Sequence, residues 1–139
     1  SLLPGVVLSV TVPHILPLDC QAQLALDLAD SGVDLIQTEG GTSAHPISPG
    51  TLGLIEKASP TLAGTIAIAG ALKESCHDLP VICASGLSEV TAPMAISIGA
   101  SGVGIGSAVN KLKTELAMIA TVKGLRNALD SFKFVSTIK

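Results

Sequence analysis

Short apolar runs and longer mixed runs alternate along the chain in strict order. Residues 6–12, VVLSVTV, are β-branched and bounded by turns, as a strand should be. PLDCQAQLALDLADSG follows, with Ala22, Leu26 and Ala29 on one helical face, Asp19 as the expected cap and Gly32 as the stop. VDLIQTEGG, residues 33–41, reads as a second strand. A turn-rich stretch from Gly40 to Pro60 separates it from its helix, residues 60–76, with Pro60 in the first turn. PVICASG, residues 80–86, reads as a third strand, and SEVTAPMAISIGAS as its helix, capped by Ser88 with a kink or later start at Pro93. GVGIGSAV, residues 102–109, is the expected fourth strand. In the last segment Leu116, Ile119, Val122, Leu125, Leu129 and Phe132 recur every three or four residues, the stripe of a packed helix.

Strand and helix in regular alternation predict an α/β protein with a parallel sheet and right-handed crossovers. An open doubly wound sheet and part of a (β/α)8 barrel both satisfy the pattern. Doubly wound folds carry a glycine-rich phosphate loop after the first strand, whereas this chain has PHILPLD there. Its Gly/Ser turns follow the last two strands, where a barrel holds its phosphate site. The chain therefore reads as one partial domain, residues 1–139, covering about four C-terminal β/α units of a TIM-type barrel. A whole barrel takes roughly 250 residues. The expectation is a missing N-terminal half or a half-barrel that pairs as a homo-oligomer, and a start at Ser1 without Met fits a processed or excised chain.

Hydrophobic residues make up 47% of the 139 residues, yet no run approaches the length of a membrane span, so no membrane partner is expected. With two Phe, no Tyr and no Trp, stacking on bases is nearly excluded and no nucleic-acid partner is expected. Residues 1–110 carry two basic against nine acidic side chains, a net −7, and the last 29 carry six against two, a net +4. Those late basic positions alternate with the apolar stripe and read as a solvated helix face. Cys20, Cys76 and Cys83 lack CxxC or CxxH spacing, so neither a disulfide framework nor a metal site is expected.

The candidate chemistry lies at the strand ends. Backbone N–H groups around Ser85, Gly86 and Leu87, and around Gly104, Gly106, Ser107 and Ala108, are expected to converge as two jaws of a phosphate clamp at helix N-termini. Glycine admits the phosphate oxygens to the backbone. Glu39 closes the second strand as the best catalytic candidate, able to act as a base, bind a hydroxyl or amine, or pair with a cation. His14 ends the first strand as a weaker acid–base candidate, with a loop or packing role as the alternative. His45 lies in the long turn-rich stretch, where a lid or binding loop could sit. His77 and Cys83 read as structural, and Cys20 and Cys76 as helix residues without chemistry.

The blocks LSVTVPHILPLD, GVDLIQTEGGTS, GTLGLIEKASPTLA and CASGLSEVTAPMAISIGASGVGIGSAVNKL resemble, in order and spacing, the plastid and cyanobacterial family called hypothetical chloroplast open reading frame twenty-three. The resemblance covers residues 8 to about 129 and implies a (β/α)8 barrel, of which this is the C-terminal half, and a chloroplast setting. Residues 80–109 more loosely resemble phosphate-binding barrels such as thiazole synthase, flavin-dependent oxidoreductases and sugar-phosphate epimerases. That likeness implies a phosphorylated small molecule or flavin mononucleotide (FMN) as ligand, in a lyase, synthase, isomerase or flavin enzyme. No lysine stands at a strand end, which argues against Schiff-base chemistry by this chain alone. A non-catalytic binding or assembly module is the alternative.

Overall fold

In the computed structural model, which describes residues 4–41 and 44–137 with side chains through residue 132, the strands are short segments of the expected runs. They are β1 (Ser9–Thr11), β2 (Leu35–Gln37), β3 (Val81–Ala84) and β4 (Gly102–Gly104). Among the described residues they form one parallel sheet in the sequential order β1-β2-β3-β4. Pairing Val10 with Ile36, Ile36 with Val81, and Cys83 with Val103 sets one face of the sheet against the helices.

The helices are α1 (Leu18–Asp30), α2 (Gly50–Glu74), α3 (Ala92–Ser97), α4 (Ser107–Asn110) and α5 (Glu115–Thr137). Neighbouring helices touch, α1 on α2, α2 on α3 and α3 on α5, which makes one helical layer over one sheet face. The core between them has two parts. Val12, Ala25, Ile36, Ile68, Leu72 and Val81 form one under α1 and α2, and Ala58, Leu62, Cys83, Leu87 and Ala95 the other under α2 and α3.

The other face of the sheet, bearing Thr11, Gln37, Ile82, Gly102 and Gly104, has no helix over it among the described residues and stays partly exposed. Gly102 and Gly104 belong to this face, because a Cβ on either would meet Ile82 or Ala84 at 2.9 Å, while Val103 between them packs toward α3.

Several local expectations are corrected. Helix α2 starts ten residues earlier than Pro60, which lies inside it, and Pro49 precedes its first turn. The amide that Pro60 lacks leaves the Glu56 carbonyl without its helical donor, yet Ala58, Leu62, Ile68 and Leu72 bury one continuous face and hold both halves in line. Pro17, not Asp19, precedes α1, and Asp19 instead accepts from the Cys20 amide at 2.9 Å. Ser88 opens a turn closed by Thr91 and Ala92 rather than capping α3. Cys76 lies just beyond α2 with φ +58°. The fourth strand ends at Gly104, and α4 occupies residues expected to continue it. Lys139 and the side chain of Lys133, part of the basic terminal segment, lie outside the described residues.

Candidate functional site

The exits of β2 and β3 meet through backbone. Ser85 and Gly86 both take φ +77°, in the left-handed region. For Ser85 this costs about 1–2 kcal/mol. Its hydroxyl oxygen meets that cost locally by accepting the Gly41 amide at 2.9 Å. A Cβ on Gly86 would stand 2.7 Å from the Lys57 carbonyl oxygen and 2.9 Å from Gly41 Cα, and one on Gly41 would collide with the Gly86 amide nitrogen. Glycine at both positions lets the β2 exit, the β3 exit and the first half of α2 touch.

That contact brings Lys57 to the strand ends. Gly41, Lys57, Ser85, Gly86, Ser107 and Lys111 line a cavity of about 410 Å³. Two lysines and two hydroxyls on a glycine backbone make it suited to an anion. Of the residues expected in the clamp, Ser85, Gly86 and Ser107 are brought together here. Leu87 is buried with its side chain among Ala58 and Leu62, and Gly104 rests on Ala84. Gly106 precedes α4, and Ala108 lies half-buried in its first turn.

The expected source of attraction changes accordingly. Helix α4 is a single turn, and α3 begins six residues beyond Gly86, so neither turn feeds a helix with a sizeable dipole. The positive charge comes from Lys57 and Lys111, for which the sequence suggests a turn-rich stretch and a solvated helix face instead. A helical period through Ala58, Leu62, Thr65, Ile68 and Leu72, read straight across Pro60, was the signal that could have placed Lys57.

Glu39 and His14 form a second arrangement at the ends of β1 and β2. One carboxylate oxygen of Glu39 lies 3.1 Å from His14 Nδ1 and accepts the His14 amide at 3.3 Å. The buried Gln21 donates to the carbonyl oxygens of Leu16, at 2.8 Å, and His14, at 3.4 Å, fixing the turn that carries the imidazole. The His14 side chain is 16% exposed and that of Glu39 41%. Neither is among the described residues lining the lysine cavity, although both lie at the same end of the sheet.

Behind the strand exits a buried threonine network takes the place of apolar packing. Thr61 Oγ1 donates to the Ala84 carbonyl at 2.5 Å and lies 2.6 Å from Thr38 Oγ1, while Thr65 Oγ1 donates to the Thr61 carbonyl at 2.8 Å. In the lead-in to α2, Glu56 accepts from the Ser48 hydroxyl and from the amides of Ser48 and Ile47. The Ser48 side-chain bond, then the backbone bonds, hold its carboxyl below the ordinary value of 4.5. His45 is exposed nearby.

The opposite end of the sheet holds the residues expected to be structural. His77 pairs with Asp30 at 3.4 Å, and Lys73, Cys76, His77 and Asp78 line a shallow cavity of about 370 Å³. Cys83 is fully buried; Cys20 and Cys76 are exposed. Among the described residues no group of three or more His, Cys, Asp or Glu is gathered for a metal ion, and no helix is long and apolar enough to cross a membrane.

A family model described as "Protein of unknown function (DUF561)" matches residues 1–134. The chain belongs to this family. Its relatives include the "Uncharacterized protein ycf23" of Porphyra purpurea, 37% identical over 131 residues, 94% of this chain and 48% of the relative. That of Cyanophora paradoxa is 46% identical over 119 residues, 86% of this chain and 46% of the relative, and that of Cyanidium caldarium 37% identical over 126 residues, 91% and 49%. This DUF561 chain thus spans about half the length of the curated relatives it matches. The relatives are plastid-encoded, consistent with a plastid location. No solved structure matches the chain.

Proposed function

We propose that this chain binds a phosphorylated small molecule at the lysine cavity, within a plastid protein. The observation that carries the reading is the convergence of Lys57 and Lys111 with Ser85, Gly86 and Ser107 at the C-terminal ends of β3 and β4. Parallel α/β sheets bind ligands at that end, and two ammonium groups compensate a phosphate dianion. FMN presents the same phosphate, but the chain has no Tyr or Trp to stack its ring, so a non-aromatic phosphate monoester is the favoured class. Calorimetric titration with inorganic phosphate, ribose 5-phosphate and FMN tests this. Binding that disappears in Lys57→Met with Lys111→Met supports the reading, and binding that ignores both changes, or no binding of any phosphate, overturns it.

The fold that best accommodates this site is half of an eight-stranded barrel, with four more β/α units closing the sheet. Sequential strand order with one helical layer, and relatives about twice as long, support it. Exposed apolar residues flank the open sheet, Val6, Val7 and Leu8 ahead of β1, and Leu116, Ile119 and Val122 on α5. An assembly role draws on this same surface. Cysteine labelling at position 7 or 122 is slow in a closed barrel and fast if these faces stay open.

A further inference from the structure

We propose that the lysine cavity selects its ligand by charge: it takes a tetrahedral oxyanion group that has lost all its protons, and it holds a sulfate dianion as well as a phosphate one. This deepens the phosphate reading above and rests on it for the place of binding.

The selectivity follows from what lines the cavity. The ammonium groups of Lys57 and Lys111 donate and cannot accept. Ser85 is committed in the same sense. Its hydroxyl oxygen accepts the Gly41 amide at 2.9 Å, which leaves the hydroxyl hydrogen as the part of the group that can turn to a ligand. Accepting that amide also polarises the O–H and makes it the better donor. Ser107 adds a second hydroxyl, and two ammonium groups holding an anion beside it favour its use as a donor. Gly41 and Gly86 bring no side chain.

No carboxylate or imidazole is among the described residues that line the cavity. The acids on the surrounding elements are engaged or turned elsewhere. Glu39, at the β2 exit, is held by His14, and Glu56, one residue before Lys57 on α2, accepts from Ser48 and Ile47. Glu89, beyond the β3 exit, lies against α5, with Oε2 2.7 Å from where a Cβ on Gly124 would stand. Glu115, at the start of α5, and His45, ahead of α2, are exposed and outside the lining.

A protonated oxyanion is therefore the poorer ligand. The P–OH of a monoanionic phosphate ester needs an acceptor, and here it meets ammonium and hydroxyl hydrogens while bringing half the charge. A dianion satisfies every donor it meets. Sulfate has the same tetrahedral shape and the same charge, so a cavity of donors has no means of rejecting it. The identity of the natural ligand is then set by what the rest of that ligand touches, and the cavity supplies only the anchor.

Three small anions test this on the full chain at constant ionic strength: methyl phosphate, inorganic sulfate and methyl sulfate. Binding is followed at the amides of Gly41, Ser85 and Gly86 in proton–nitrogen correlation spectra. Methyl phosphate changes from dianion to monoanion below about pH 6, whereas sulfate stays a dianion and methyl sulfate a monoanion. At about pH 7.5, methyl phosphate and sulfate are expected to bind within about threefold of each other, and methyl sulfate at least about fivefold more weakly. At about pH 5, methyl phosphate should fall by about tenfold to join methyl sulfate, while sulfate changes by less than about twofold. Lys57→Met with Lys111→Met should remove the binding of both dianions together, and His45→Gln should leave the profile unchanged. Methyl phosphate that keeps its affinity at the lower pH reveals an acceptor for P–OH and overturns the inference. Sulfate that falls in parallel reveals a titrating protein group and overturns it too, as does sulfate that binds at least about tenfold more weakly than methyl phosphate at the higher pH. In each of these cases the phosphate reading stands. No response of the three amides to any of the anions overturns the phosphate reading and the inference with it.

Discussion

The Gly41 amide donates to the Ser85 hydroxyl oxygen at 2.9 Å, across the gap between the exits of β2 and β3. Ser85→Ala removes the acceptor and leaves that amide without it while keeping the positive φ. The expected loss is about 1–3 kcal/mol in chemical denaturation. Ser85→Gly loses the same bond but relieves the backbone, so it should fall nearer to the parent than Ser85→Ala does.

Gly86 and Gly106 both occur in the anticipated clamp, yet they should respond differently to the same change. Gly86→Asp meets the Lys57 carbonyl and the Gly41 backbone, so loss of folded protein is the expected outcome. Gly106 has nothing within 4 Å of the position a Cβ would take. Gly106→Asp should therefore leave the melting temperature within about 3 °C of the parent. By placing a carboxylate beside Ser107, it should weaken phosphate binding by about tenfold or more. Thermal melts alongside calorimetry separate the two effects.

Thr61 links β2, α2 and β3 from inside the core. Thr61→Val keeps the shape but withdraws the hydroxyl from the Ala84 carbonyl and from Thr38. Leaving those buried groups short of a partner is expected to cost about 1–3 kcal/mol, seen as a lower denaturant midpoint with an unchanged slope. Thr65→Val, which withdraws a bond to a helical carbonyl, should cost less.

The pH dependence follows from Glu56. Its carboxyl titrates below 4.5 because Ser48 and Ile47 donate to the charged form. A depressed value in the folded state means that the contribution is complete above the unfolded value. It is lost as pH falls through the folded one. Glu56→Gln should therefore lower the melting temperature at pH 7, and the difference should shrink as pH drops below 4.5. A difference that stays constant across that range would show that the carboxylate's charge is not what matters.

On α5, Arg126 forms an exposed ion pair with Asp130 one helical turn away, at 2.5 Å and 2.8 Å. Removing it with Arg126→Ala should change stability by no more than about 0.5 kcal/mol. Because Arg126 is already engaged, binding of any polyanion through this helix should fall only slightly in the variant and vanish at moderate salt.

The order of elements was legible because it depends on periodicity, which the apolar runs carry without help from the rest of the molecule. Boundaries were less so where two signals conflict. Pro60 is a strong mark of a helix start, but the buried row from Ala58 to Leu72 overrides it, since packing a long face outweighs one missing hydrogen bond. The same conflict hid Lys57. The Ser/Gly turns after β3 and β4 were visible from composition alone. That Leu87 turns into the core and Ser107 toward the cavity depends on backbone torsions that no local pattern encodes. Glu39 and His14 were each visible as strand-end residues, but their pairing lies 25 positions apart in sequence and arises only when β1 and β2 come side by side.

Gly102 and Gly104 leave the uncovered face of β4 with almost no side-chain volume, and Ile82 and Ala84 of the neighbouring β3 already lean into part of it. A packed interior has a fixed amount of space to fill. If the sheet closes into the barrel proposed above, the strands facing β4 must supply the bulk that β4 withholds, so large residues, aromatic ones included, are expected on them. On that proposal, the scarcity of Phe, Tyr and Trp in this chain and the two bare positions on β4 are parts of one division of volume, in which these four units contribute room and the rest of the barrel contributes mass.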